Sequence, residues 1–176
     1  MSTLYEPVDV WRVPDCLLRD SIAEMAADGL RGCEGIVLWL GAIAERAAKI
    51  THMVGLTGSG IEKRPDFLRI HPDLFNAVAA FAERMDVVLI GQIHSHPGTF
   101  VDLSLVDIKY GVTTPHYLSV VAPHYAQDPR SEWRDCGVHI NEPRRGFRRM
   151  HAAEVLTRID VIAGTAAPLM RLDGSS

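Results

Sequence analysis

An α/β domain with a mixed sheet flanked by helices is the fold class this sequence predicts, and three observations carry it. Short apolar runs rich in β-formers alternate along the chain with segments of helical periodicity, which places strands and helices in one layered unit. The 176 residues suit one ordinary domain, able to bury about 70% of its unfolded surface. Hydrophobic residues make up 47% and charged residues 23% of the chain. That balance excludes disordered, collagen-like and low-complexity classes.

Pro14 and a capping Asp15 open a helix over about 15–28, with Leu18, Ile22 and Met25 at i, i+4 and i+7 and Gly29 as a left-handed stop. Glu34 to Gly41 is a short apolar run closed by glycine, as in a buried strand, and Lys49 to Val54 is expected to pair with it. The stretch 55–70 holds three glycines, Pro65 and mixed charge without periodicity, so it reads as a loop or flap able to cover a site. Pro72 then suits a first helical turn, and Leu74, Val78, Phe81 and Met85 extend a helix over about 72–85. Val87 to Ile93 follows as a buried strand that Pro97 stops. Ser104-Leu-Val-Asp107 has the form of a capping box and starts a third, shorter helix. Tyr117 to Ala122 and Trp133 to Ile140 are strands separated by a loop over 123–130, and Val155, Ile159 and Ile162 mark a last helix. The expected order is α-β-β-α-β-α-β-β-α. It forms a single domain over residues 1–163, with 164–176 a flexible C-terminal tail.

Net charge is −4 and the pI near 6.0, which leaves no overall attraction for nucleic acid or an anionic membrane. Cys16, Cys33 and Cys136 are odd in number and far apart, forming neither a disulfide framework nor a CxxC knuckle. No secretory leader and no window approaching 18 uninterrupted apolar residues is found. A reducing, cytoplasmic setting is expected.

The chemistry concentrates in residues 92–107. Strand side chains alternate faces, so His94 and His96 point the same way while Ser95 points away. The chain then returns so that Asp107, in the first turn of the next helix, offers a carboxylate. Two imidazoles and one carboxylate, with a fourth position for water, form the ligand set of a catalytic rather than a structural zinc. Amide hydrolysis also needs a carboxylate outside the coordination shell to carry the water proton to the leaving nitrogen. Glu34, at the start of the first buried strand, is the best placed; Glu45, Glu62 and Glu83 fall in more exposed segments. Ser104, three residues before Asp107, is close enough to stabilise an oxyanion. Taken singly, each histidine would more often be a core residue at a strand end, Ser104 with Asp107 a plain cap, and Glu34 a solvated strand end.

The set HxHP, six residues, then SxxD, with Glu34 seven residues before Gly41, resembles the JAMM metalloproteases of the MPN superfamily, above all their prokaryotic JAB-type branch. The resemblance extends over most of residues 8–150. It implies a cytidine-deaminase-like JAB/MPN fold, Zn2+, and hydrolysis of isopeptide or peptide bonds at the C-terminus of ubiquitin or a ubiquitin-like protein, with other components of a conjugation system as further partners. By position, His94, His96 and Asp107 match its zinc ligands, Glu34 its general base and Ser104 the serine near the oxyanion. Where many prokaryotic members place a second histidine directly before the serine, this chain has Leu103. The flap at 55–70 and the loop at 123–131 align most weakly, and family members place their substrate-selecting insertions there. A Gly-Gly tail would lie along a sheet edge or flap strand and enter a narrow approach to the metal. Two other readings stay open: a small-molecule or sulfur-carrier amidase, and a non-catalytic subunit that binds a ubiquitin-like protein around a structural zinc.

Other motifs carry less. Gly55-Leu-Thr-Gly-Ser-Gly60 begins like a phosphate loop, but Ile61 and Glu62 stand in the lysine and hydroxyl positions. His151-Ala-Ala-Glu154 starts an HxxEH pattern that Val155 ends. Arg144, Arg145, Arg148 and Arg149 around Phe147 read as a solvated basic face, with an acidic partner as the alternative. His52, His71, His116, His124 and His139 have no partners at ligand spacing and are read as structural.

Overall fold

Ile-Val-Leu-Trp-Leu at 36–40 is buried at every position, the mark of a strand covered on both faces. The computed structural model describes residues 7–164 and 167–174. Its strands are β1 (Val10–Pro14), β2 (Ile36–Ala44), β3 (Ala47–Thr57), β4 (Ile61–Arg64), β5 (Phe67–Ile70), β6 (Val88–Ser95), β7 (Leu118–Ala122), β8 (Gly137–Glu142), β9 (Gly146–Arg149), β10 (Ile159–Ile162) and β11 (Leu169–Asp173). Its α-helices are α1 (Leu17–Leu30), α2 (Pro72–Arg84), α3 (Leu105–Tyr110) and α4 (Ala152–Arg158). One mixed sheet runs in the order β10-β1-β3-β2-β6-β7-β8-β9, with β11 also on β3, while β4 and β5 form a separate hairpin. No helix among the described residues is long and apolar enough to cross a membrane.

Alternation along β2 divides the core. Val37 and Trp39 join Leu17, Ile22 and Met25 of α1 in one apolar cluster. Ile36, Leu38 and Leu40 join Leu74, Val78 and Phe81 of α2 in another. The two helices therefore cover opposite faces of the sheet, and the expected mixed sheet flanked by helices is what the chain forms. Strand β6 lies antiparallel to β2, with Ile36 opposite His94, and parallel to β7. The return from β6 to β7 passes through α3, so the C-terminal end of β6 opens where the chain crosses over the sheet. Ligands bind at such ends of α/β sheets.

Several expectations need correction. The flap at 55–70 is ordered: β3 continues to Thr57, and β4 pairs with β5 around a turn at Pro65 and Asp66. Four-residue strands are too short to show periodicity, and the proline sets the turn by fixing φ. The last helix stops at Arg158, because the β-branched run that follows pairs in parallel with β1 as β10. The segment Trp133–Asp135 is a 3-10 turn, and β8 begins only at Gly137. Within the tail read as flexible, 169–173 forms β11 along β3, with Leu169 and Leu172 against the two clusters. Gly29 lies inside α1; Gly32 takes the left-handed position at φ 66°. The N-cap of α1 is Cys16, without a side-chain hydrogen bond, rather than Asp15.

Candidate metal centre

The strand register brings the two histidines together as their spacing requires. His94 and His96 are both buried, with Nε2 atoms 3.2 Å apart. Ser95 turns away, and its Oγ accepts from the Gly35 N–H at 2.9 Å. Pro97 ends the strand, and Ser104 caps α3 through a full capping box: the Asp107 N–H donates to Ser104 Oγ at 3.2 Å and the Ser104 N–H donates to Asp107 Oδ2 at 2.7 Å. The cap turns the Asp107 carboxylate toward the histidines, with Oδ2 3.2 Å from His96 Nε2 and Oδ1 3.5 Å from His94 Nε2. Among the described residues these three form the His/Cys/Asp/Glu group able to hold a metal ion.

Donor separations of 3.2–3.5 Å fit the chemistry of a small cation. Ligands at about 2.0–2.1 Å in a tetrahedron lie roughly 3.3–3.4 Å apart along its edges. The neutral tautomers fit with one adjustment. His96 Nδ1–H donates to the Phe100 carbonyl at 3.1 Å, leaving the Nε2 lone pair inward, and the Phe100 ring stacks on the imidazole at 5.9 Å. His94 Nδ1 lies 3.4 Å from the Gln92 amide nitrogen, whose amide oxygen accepts from the buried Tyr117 hydroxyl at 3.1 Å. In this orientation His94 Nε2 carries the hydrogen. Turning the Gln92 amide over lets its oxygen accept from Nδ1–H and frees Nε2 for a cation.

Electrostatics point the same way. Burial works to raise the Asp107 carboxyl, but hydrogen bonds from His94, His96 and Ser104 overcome it and hold the group well below the usual carboxylate range. Burial works to lower His96, and the Asp107 carboxylate reverses the direction.

Glu34 sits just before β2. Its N–H donates to the Arg64 carbonyl of the hairpin at 2.9 Å, and continuing the β2–β6 register by two residues sets it opposite His96. Only 4% of it is exposed. Burial pushes its carboxyl up to about 7, with Asp107 and Asp66 adding to the rise and His96 opposing it. The structure thus gathers all five candidate residues at one end of β6.

Sequence reasoning missed three contributors. Gln92 shares a strand face with His94 at i, i+2, so the period-two pattern contained its signal. Tyr125 had none: its hydroxyl donates to the Pro65 carbonyl at 2.9 Å, tying the hairpin turn to the loop after β7. That loop is held by left-handed His124, Tyr125 and Ala126 (φ 53–57°), with the Tyr125 N–H donating to the His96 carbonyl at 2.8 Å. The third is a cavity of about 610 Å3 that opens beside His94 and Asp107. In the basic cluster at 144–149, two of the four arginines are held in close ion pairs within the chain. Arg148 pairs with Glu142 and Glu154, and Arg149 with Asp102, each at 2.8 Å. The cysteines are free, and burial pushes the Cys136 thiol up to about 12.

No family model matches the chain. A curated protein of Sinorhizobium fredii, named a probable metalloprotease, is 27% identical over 130 residues, which cover 73% of this chain and 80% of that protein. The solution structure of a Desulfitobacterium hafniense protein is similar with a TM-score of 0.64 and 13% identity, over 90% of this chain and 95% of that one. That of a Salinibacter ruber protein is similar at a TM-score of 0.58 and 18% identity, with the same shares covered. The solved structures carry the fold alone. The distant relative's name points to a metalloprotease, and the His-His-Asp group to a bound metal.

Proposed function

We propose that this chain is a zinc-dependent isopeptidase or peptidase of the JAMM type, with the JAB/MPN fold, that cleaves the bond after the C-terminus of a ubiquitin or ubiquitin-like protein. The observation that carries the reading is the set of donor separations, 3.2–3.5 Å, among His94, His96 and Asp107, with buried Glu34 alongside. The Sinorhizobium relative's name supports it.

His94, His96 and Asp107 would hold the ion. Zn2+ supplies, when bound, a Lewis acid that polarises a carbonyl and makes water a nucleophile near neutral pH. Glu34, buried alongside the donor set, accepts the proton of the attacking water and returns it to the leaving amine, commonly a lysine ε-nitrogen. Ser104 Oγ uses a lone pair on the Asp107 N–H and keeps its own O–H to donate to the oxyanion. An extended substrate tail pairs with an edge of the β4–β5 hairpin, so backbone hydrogen bonds supply affinity. The protein works in the cytoplasm, in deconjugation or in precursor processing.

The test is cleavage of ubiquitin-like fusions and of a lysine-linked conjugate by the zinc-loaded protein. Release is expected to stop with a chelator and in Glu34→Gln, while that variant keeps its zinc. Wild-type turnover in Glu34→Gln would remove the base. Capture of the partner without chelator-sensitive cleavage would replace the enzyme with a binding subunit.

A further inference from the structure

We propose that Asp102 is a positioning residue for the metal centre, a latch that holds the loop over 97–104 where His96 and Asp107 need it. The proposal rests on the metal reading above and adds to it residues outside the donor set.

No residue from Pro97 to Asp107 is buried, so apolar packing does not fix this stretch and its place depends on polar tethers. It nevertheless supplies two groups that the centre needs. The Phe100 carbonyl accepts from His96 Nδ1–H at 3.1 Å, and Ser104 caps the helix that carries Asp107. Asp102 lies two residues from each, a step of at most about 7 Å of chain. Tying it down therefore limits both at once.

The sheet provides the anchor. Gln92, Ser119, His139 and Arg149 are successive register partners across β6, β7, β8 and β9, so they form one row on the face that carries His94. Asp102 Oδ1 lies 2.8 Å from Arg149 Nη1 and 3.5 Å from Nε2 of the buried His139. Burial holds the His139 pKa below the usual histidine range, against the opposing pull of the Ser119 carbonyl and Asp102. Arg149 is accordingly the cation of the clasp at neutral pH. One residue earlier the loop meets the sheet again: a Cβ on Gly137 would overlap the Val101 carbonyl, so glycine at this position of β8 serves close approach. At the start of the loop the His124 N–H donates to the Gly98 carbonyl at 2.7 Å. Between that bond and the capping box, Asp102 supplies the ion pair that closes the loop onto the sheet. Both partners are about half exposed, so the pair is screened and its effect is severalfold rather than all-or-none.

The test compares full-chain wild type, Asp102→Ala, Arg149→Met, Arg149→Lys and the Asp102→Ala/Arg149→Met double variant, by zinc competition with a chelator and by amide exchange of the metal-free proteins. Asp102→Ala and Arg149→Met are each expected to weaken zinc binding about fivefold, the double variant no further than either, and Arg149→Lys to keep most of the affinity. The Ser104 and Asp107 amides should exchange faster in Asp102→Ala and Arg149→Met while those of β2 and β6 keep their protection, which separates a shifted loop from a loosened fold. Unchanged zinc affinity in both of these variants, or losses that add in the double, would overturn the proposal. Should Asp102→Ala not fold, the Arg149 variants decide it alone. A wild type that binds no zinc would instead sink the metal reading, and the latch would then stand or fall on the Ser104 and Asp107 exchange.

Discussion

At the scale of single residues, the site depends on groups that set the state of a neighbour. Gln92 is one: only with its amide oxygen toward His94 does Nε2 face inward with a lone pair. Gln92→Leu is expected to lower zinc affinity by about 10–100-fold, measured by competition with a chelator; unchanged affinity would show that the tautomer is set elsewhere. Glu34 is another. Its carboxyl rises from 4.5 to about 7 in the folded chain, so folding favours its protonated form. In the metal-free protein that contribution to stability is fully present below about pH 4.5 and is lost as pH rises through about 7. By pH 8 the loss is on the order of 2–3 kcal/mol. Urea unfolding of metal-free Glu34→Gln should accordingly show a variant more stable than wild type at pH 8 and level with it at pH 4, and a difference constant over that range would contradict the assigned environment. Ser104→Ala removes a cap worth about 1 kcal/mol and, if its hydroxyl meets the oxyanion, on the order of 10²–10³ in rate. An unchanged rate would leave Ser104 a cap only.

Elements with local signals were legible. Helices α1 and α2 declared themselves by apolar spacing, α3 by Ser104 and Asp107, and β6 by its apolar run into HxHP. For the same reason His94, His96, Ser104 and Asp107 could be grouped before any fold was known, since strand alternation and a capping box are local rules that fix side-chain direction, whereas Glu34 rested on its place at the start of the first buried strand and on the family resemblance. The β4–β5 hairpin was not legible, because its order comes from tertiary anchors. Glu34 N–H donates to Arg64, and Tyr125 to Pro65. Gly29 belongs to the same system. A Cβ there would stand 2.2 Å from the Tyr125 carbonyl, so glycine serves close approach rather than a helix stop. Tyr125→Phe removes the bond to Pro65 and is expected to speed amide exchange across 61–70 severalfold while the core amides of β2 and β6 hold their protection. Unchanged hairpin exchange would mean that Tyr125 does not anchor it.

Across the whole molecule, parallel pairing between distant segments is what sequence could not disclose. β1 with β10 and β3 with β11 join residues more than a hundred positions apart, and no local pattern records such a partner. β11 covers an edge of β3 whose backbone groups would otherwise face solvent, and Arg171 fastens it to Glu24 at 2.8 Å. Removing residues 167–176 is expected to lower Tm and promote self-association, seen by light scattering; an unaltered Tm and particle size would show that edge to be protected without it. The proposed activity needs this frame only to hold three donors and one carboxylate in fixed relation. The most direct test is zinc stoichiometry, measured by metal analysis after dialysis on wild type, His94→Ala, Asp107→Ala and Glu34→Gln side by side. About one zinc per chain is expected in wild type and Glu34→Gln, and close to none in the other two; a wild-type chain that retains no zinc, or a Glu34→Gln chain that loses it, would contradict the account.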